Sequence, residues 1–222
     1  MLIISVGIFF FNHSLNNWLP QILRHGGMDA VTAGYWSSLP TVVGMIGALI
    51  IPRLATPARR YMILFGLISS ACAAVLLIRT MDVGVLPIGL VLQGLVRGSM
   101  SSIAILLLME AKGVNARVMG AAGGMYFSAG EIGGVLGPLS VGAMFDATGG
   151  FSAPLLMLSG ACVMLALLLA RLRAVSREDL VSFRLTQKRT FLLYRFVEED
   201  VLEVQVRGTI EPLRLSRRRN RD

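Results

Sequence analysis

The chain is 222 residues long, 55% hydrophobic and 15% charged, with a mean hydropathy of +0.69 and a formal charge of +8. That apolar excess excludes an ordinary soluble domain. The apolar stretches are helix-length, not the roughly ten-residue alternating segments of an outer-membrane barrel. The two cysteines, Cys72 and Cys162, each lie inside an apolar stretch, where the reading is of small buried hydrophobes and not of a disulfide or metal site.

A helix crossing a hydrocarbon core of about 30 Å needs about 20 residues. Six segments meet that length: 2–23, 33–51, 61–78, 83–109, 118–145 and 151–170. The first has no basic leader, and it carries two polar pairs at helical spacing, Asn12/Asn16 and His13/Asn17, before Trp18 and Pro20. In lipid such amides must face protein or a cavity, so Asn16 and Asn17 are candidates for substrate contact or for bonding between helices. Pro20 removes a helical hydrogen bond and predicts a bend. His13 lacks the Cys, His or carboxylate companions of a metal site.

Asp29 precedes the second segment, where a short carboxylate suits an N-cap. Arg97 falls near the middle of the fourth, with Gln93 one turn earlier and Ser99, Ser101 and Ser102 after it. A guanidinium there can hold an anionic solute through paired hydrogen bonds. It can equally pair with Glu131, which lies mid-way along the fifth segment among Gly130, Gly133, Gly134, Gly137 and Pro138. A mid-membrane carboxylate is costly unless it faces protein or water. Glu131 therefore reads either as a proton- or cation-coupling group or as a structural hydrogen-bonding one. The glycines allow close helix approach, and with Pro138 they also offer a bend for opening and closing.

Arg53, Arg59, Arg60, Lys112, Arg117, Arg171, Arg173 and Arg177 flank one set of segment ends, against Arg24 and Arg79 at the other. That asymmetry puts the first set, and both termini, in the cytoplasm of a multi-pass cell-membrane protein. Residues 1–172 form the membrane bundle. Residues 173–222 form a short basic cytoplasmic tail, in which the alternation at 181–185 and 202–206 predicts strands in one or two β-hairpins. The closing arginine run reads as a solvated tail or as an attraction to anionic headgroups. Without an aromatic platform it does not point to nucleic acid.

Residues 27–34 align with 113–120 at an offset of 86, and the same offset places Gly44 on Gly130, Ile46 on Ile132, Gly47 on Gly133 and Pro52 on Pro138. With three spans per copy, one copy is inverted relative to the other, giving a six-helix 3+3 inverted repeat, an all-α architecture characteristic of secondary transporters.

With these residues in view, residues 1–172 resemble the C-terminal six-helix half of a major facilitator superfamily transporter. Gly124, Gly133, Gly137-Pro138 and Gly142 are similar to that family's glycine-proline motif in the fifth helix of the other half. Gly47-Ala48-Leu49 with Arg59-Arg60 resembles a stretched copy of its cytoplasmic loop signature without the aspartate, and Asp146 with Gly149-Gly150 resembles its turn before the last helix. Asn17-Trp18-Leu19-Pro20-Gln21-Ile22-Leu23, Gly27 and Ala33-Gly34 are similar to the cyanate and nitroimidazole transporter-like branch.

The resemblance implies alternating access for a small solute, anionic on the strength of Arg97. Spans one, two, four and five would line the cavity, and no cofactor would be needed. The expected substrate contacts are Asn16, Asn17, Gln93 and Arg97. Glu131 would couple protons, and Gly130, Gly133, Gly137 and Pro138 would serve packing and gating. Six helices form one wall, so a second six-helix half or a homodimer mate is expected alongside the lipid bilayer. The alternative is a truncated membrane protein that does not transport. No phosphate-binding loop or nucleophile motif supports an ATP-driven pump or an enzyme.

Overall fold

The structure, a computed structural model, describes residues 1–174 apart from positions 58, 83 and 112. It divides the chain into two units, Met1–Arg171 and Leu172–Asp222. All regular structure among the described residues is helical. The helices are α1 (Leu2–His25), α2 (Ala30–Leu54), α3 (Arg60–Thr80), α4 (Leu86–Met109), α5 (Met119–Thr148) and α6 (Ser152–Ala174). The strands expected at 181–185 and 202–206 lie outside the described residues.

Of the six apolar segments expected to span a membrane, four form helices both long and apolar enough to do so: α2, α3, α4 and α6. The two outside that set are α1, with Asn12, His13, Asn16 and Asn17, and α5, with Glu131 and its glycines. Asn16, Asn17 and Glu131 thus lie in the two less apolar helices, while α4 stays apolar enough despite Gln93 and Arg97.

Local chemistry sets the ends. Asp29 caps α2, its Oδ2 accepting from the N–H groups of Val31 at 3.0 Å and Thr32 at 3.1 Å. Asn115, 86 residues on, accepts in the same way from Arg117 N–H at 3.0 Å and Val118 N–H at 3.3 Å. There, however, it closes a separate turn, and α5 begins only at Met119. Gly149 stops α5 in the left-handed conformation, φ 69°, with its N–H on the Phe145 carbonyl at 2.7 Å. Pro20, Pro40, Pro52 and Pro138 are all accommodated inside helices, and α1 runs on past Pro20 to His25.

The main packing partners are α1 with α5, α2 with α4, and α3 with α4. Glycines bring the first two pairs into backbone contact. A methyl group on Gly98 would overlap the Gly44 carbonyl, and one on Gly94 would lie 2.8 Å from the Pro40 carbonyl oxygen. On the other pair, a methyl on Gly133 would overlap the Val6 carbonyl, and one on Gly137 would overlap Phe10's carbonyl and Ser14's hydroxyl. Gly44 and Gly47 face α4, and Gly130 and Gly133 face α1. The glycines matched at the 86-residue offset therefore occupy corresponding interfaces. Helix α6 meets α1 where Leu165 lies over Gly7, whose substituent would come within 2.5 Å of it.

Candidate functional site

Three ionisable side chains stand near the midpoints of their helices: His13 in α1, Arg97 in α4 and Glu131 in α5. In a bilayer, those positions are the most expensive for charge. Two of the three border a cavity of about 220 Å³ lined by Phe9, Asn12, His13, Asn16, Arg97 and Ser101. The cavity thus lies between α1 and α4.

Arg97 is half-buried and donates from Nη1 to Thr41 Oγ1 of α2 at 2.8 Å. A guanidinium has five N–H donors in a planar fork, and Arg97 also lines the cavity. The ion pair that the sequence allowed between Arg97 and Glu131 is absent from the described residues. The pair that does form there joins Arg60 Nη1 to Glu110 Oε1 at 2.6 Å, at the far end of α4. Arg60 also donates to the carbonyls of Ala55 at 3.1 Å and Leu106 at 3.2 Å, tying the start of α3 to the end of α4.

Of the expected substrate contacts, Asn16 and Arg97 line this cavity together. Asn17 is exposed outside its lining, and Gln93 is buried at 1% exposure in the packed face of α4. Both amide atoms of Gln93, Asn12 Oδ1 and the hydroxyls of Ser99 and Tyr126 are buried with no hydrogen-bond partner among the described residues. Five such atoms in one bundle are unusual. Asn12 borders the cavity itself, and the Tyr126 hydroxyl faces Ser101, another lining residue, outside hydrogen-bond geometry.

The expected packing glycines hold the cavity's aromatic wall. Gly130 leaves room for Phe9, whose ring would lie 2.9 Å from a methyl at that position. Phe9 in turn stacks on His13, with centroids 5.5 Å apart and an interplanar angle of 23°. Tyr126 and Phe127 meet Phe9 edge-on at 6.2 and 6.1 Å. Pro138 offers its carbonyl to Trp18 Nε1 at 3.0 Å. Glu131 is exposed on α5, and its Oε2 borders the space above Gly134.

Sequence reasoning noted Asn12 and Ser101 without making them site candidates, and it passed over Thr41 and Glu110. Asn12 and Ser101 were legible as mid-segment polar groups. Thr41 and Glu110 were not, because their roles depend on which helix lies opposite.

The sequence model of the Major Facilitator Superfamily matches residues 1–202. This chain belongs to that superfamily. The match runs past residue 172, where composition alone would end the membrane bundle. The superfamily chain is 30% identical over 162 residues to the uncharacterized transporter YycB of Bacillus subtilis (strain 168), covering 70% of this chain and 39% of that protein. It is also 30% identical over 149 residues to a quinolone resistance transporter of Acinetobacter baumannii, covering 66% of this chain and 34% of that protein. The chain spans less than half the length of these curated relatives. Membership makes it a membrane protein of a transporter family.

Proposed function

We propose that this chain forms one six-helix wall of a secondary carrier that moves a small anionic solute by alternating access, with Arg97 as the anion anchor. The observation that carries this reading is an intramembrane arginine with one neutral hydrogen-bond partner among the described residues, Thr41, lining a cavity of about 220 Å³ that also presents Asn12, Asn16 and Ser101. A charge in that position is stable only with a partner. Here the vacant donors fit a carboxylate-like or similar planar anion.

Glu131 is the proton-coupling carboxylate of this scheme. The two halves of the bundle act as an inverted repeat, supported by the α1–α5 and α2–α4 pairings and by the glycine correspondence across them. The second wall is another six-helix half or a second copy of this chain. It would cover the apolar faces of α2, at Val42, Met45 and Leu49, and of α5, at Ile132, Val135 and Leu139, all more than half exposed. The arginine asymmetry of the connections supports a cell-membrane location with cytoplasmic termini.

The test is uptake of radiolabelled formate into proteoliposomes holding the chain alone or with a co-expressed second half. Arginine-dependent uptake that Arg97→Gln abolishes supports the reading. Absence of formate uptake in both preparations would reject it and leave a non-transporting membrane protein.

A further inference from the structure

We propose that a second site, at the end of the bundle where α1 closes and α2 begins, binds a zwitterionic solute with an aromatic body. It goes beyond the carrier reading and does not depend on it. A cavity of about 390 Å³ there is bordered by Trp18, Arg24, His25, Asp29, Phe145 and Phe151. Small-molecule sites typically span about 300–1,000 Å³. None of its lining residues lines the Arg97 cavity. Arg24 lies about 16 Å along α1 from His13, so the two sites are separate.

The floor of this cavity is aromatic. Phe145 and Phe151 stand 4.5 Å apart across the turn between α5 and α6. His25 meets both edge-on, at 5.7 and 5.5 Å, and the Trp18 ring lies within 6.4 Å of each. Phe151 is buried, and the bond from Trp18 Nε1 to the Pro138 carbonyl restrains the indole. A surface fixed before binding loses little freedom when a planar ring stacks on it.

The rim is charged, and the chain's own turn chemistry sets it. Gly27, at φ 101°, donates its N–H to the Arg24 carbonyl at 3.0 Å, and Met28 N–H donates to the Leu23 carbonyl at 3.2 Å. That pair of bonds is a Schellman closure of α1. It returns the chain so that Arg24, in the last turn of α1, and Asp29, the cap of α2, border one cavity. Among the described residues the two form no ion pair; the pair found there is Arg60 with Glu110. Opposite charges on one rim that do not neutralise each other match a ligand carrying both signs, its carboxylate at Arg24 and its ammonium at Asp29. A ligand with one charge meets a repelling group as well as an attracting one. Gln21, one turn before Arg24 on the same face of α1, adds a neutral amide beside the guanidinium.

The test is isothermal titration of the full-length protein in maltoside micelles with four probes: L-tryptophan, tryptamine, indole-3-propionate and glycine. Tryptophan should bind saturably. Loss of its carboxylate in tryptamine, or of its ammonium in indole-3-propionate, should weaken binding by about three- to tenfold. Glycine, which keeps both charges without the ring, should bind more weakly still. Arg24→Gln should remove the preference for tryptophan over tryptamine, and Asp29→Asn the preference over indole-3-propionate, since each variant deletes the partner of one end. Arg97→Gln, which should abolish formate uptake, should leave tryptophan binding in place. No saturable tryptophan binding, equal affinity for all four probes, or binding lost in Arg97→Gln and kept in Arg24→Gln would each overturn the site. Tryptophan binding that follows Arg24 and Asp29 in a protein that moves no formate upholds the site and rejects the carrier reading alone.

Discussion

Trp18 Nε1 donates to the carbonyl oxygen of Pro138 at 3.0 Å, joining α1 to α5 across 120 residues of sequence. The ring of Trp18 also packs near Phe145 and Phe151, at centroid distances of 6.4 and 5.8 Å, and Gly142 leaves space for its edge. This is the α5 segment that resembles the family's glycine-proline pattern, so the indole holds the Pro138 stretch of α5 against α1. Trp18→Phe keeps most of the aromatic packing and removes the donor, and should cost about 1 kcal/mol. Trp18→Ala should cost about 3–5 kcal/mol. Thermal unfolding of the purified protein in detergent would separate the two.

The glycine contacts make a sharper contrast. A methyl at Gly98 would overlap the Gly44 carbonyl, and one at Gly133 the Val6 carbonyl, both backbone atoms of a facing helix. Gly98→Ala or Gly133→Ala must push two helices apart, with an expected loss of about 1–3 kcal/mol. Gly120 and Gly124, on the same helix as Gly133, have open space around them. Alanine there should be neutral or stabilising by up to about 1 kcal/mol, since it is the better helix former. Equal losses at all four positions, read from denaturation midpoints, would contradict the interface assignment.

That contrast also explains how much of the molecule was legible beforehand. Helix positions follow from apolar run length, a local property, and the six segments became six helices. The repeat offset paired Gly44 with Gly130 and Gly47 with Gly133, and those glycines lie at matching interfaces because close approach tolerates no side chain. Asp29 was readable as a cap for the same local reason. The partners across helices were not readable. Arg97 could be seen as a charge needing a partner, but its actual partner, Thr41, is 56 residues away on α2, and Gln93, sharing a helical face by spacing, is turned into the packing instead. Spacing along one helix fixes a face only to within a wide arc, and whether that face meets a cavity or a neighbour depends on the other helices.

Asp29 gives a pH prediction outside the membrane segments. A hydrogen bond from the Thr32 side chain, with further help from the backbone N–H groups of Thr32 and Val31, lowers its carboxyl below the ordinary value of 3.8. Because the folded state binds the proton more weakly than the unfolded one, the cap stabilises fully above pH 3.8 and is lost as pH falls through the lowered folded value. Carboxyl 13C NMR should show Asp29 titrating below a free aspartate. Asp29→Asn, which keeps an acceptor without the charge, should flatten the acid limb of the stability curve below pH 3.8 and leave the α2 start intact. An Asp29 resonance titrating at or above 3.8 would contradict the capping account.

Arg97 and Thr41 set the most direct test of anion recognition. The Thr41 hydroxyl accepts from Nη1 of the guanidinium at 2.8 Å, which restrains the fork, and Arg97 shares the cavity lining with Asn16 and Ser101. Lysine keeps the charge but offers a single ammonium on a flexible stem, so it cannot present two parallel donors to one anion. Arg97→Lys should therefore weaken formate binding by roughly tenfold or more, equivalent to one charge-assisted hydrogen bond. Thr41→Val leaves the guanidinium whole and frees its orientation, and should cost less, about two- to tenfold. The order of the two effects matters more than their size. If formate binding, followed by isothermal titration in detergent, fell more in Thr41→Val than in Arg97→Lys, the hydroxyl and not the fork would be the anion's contact. The cavity would then select a hydrogen-bonding neutral solute.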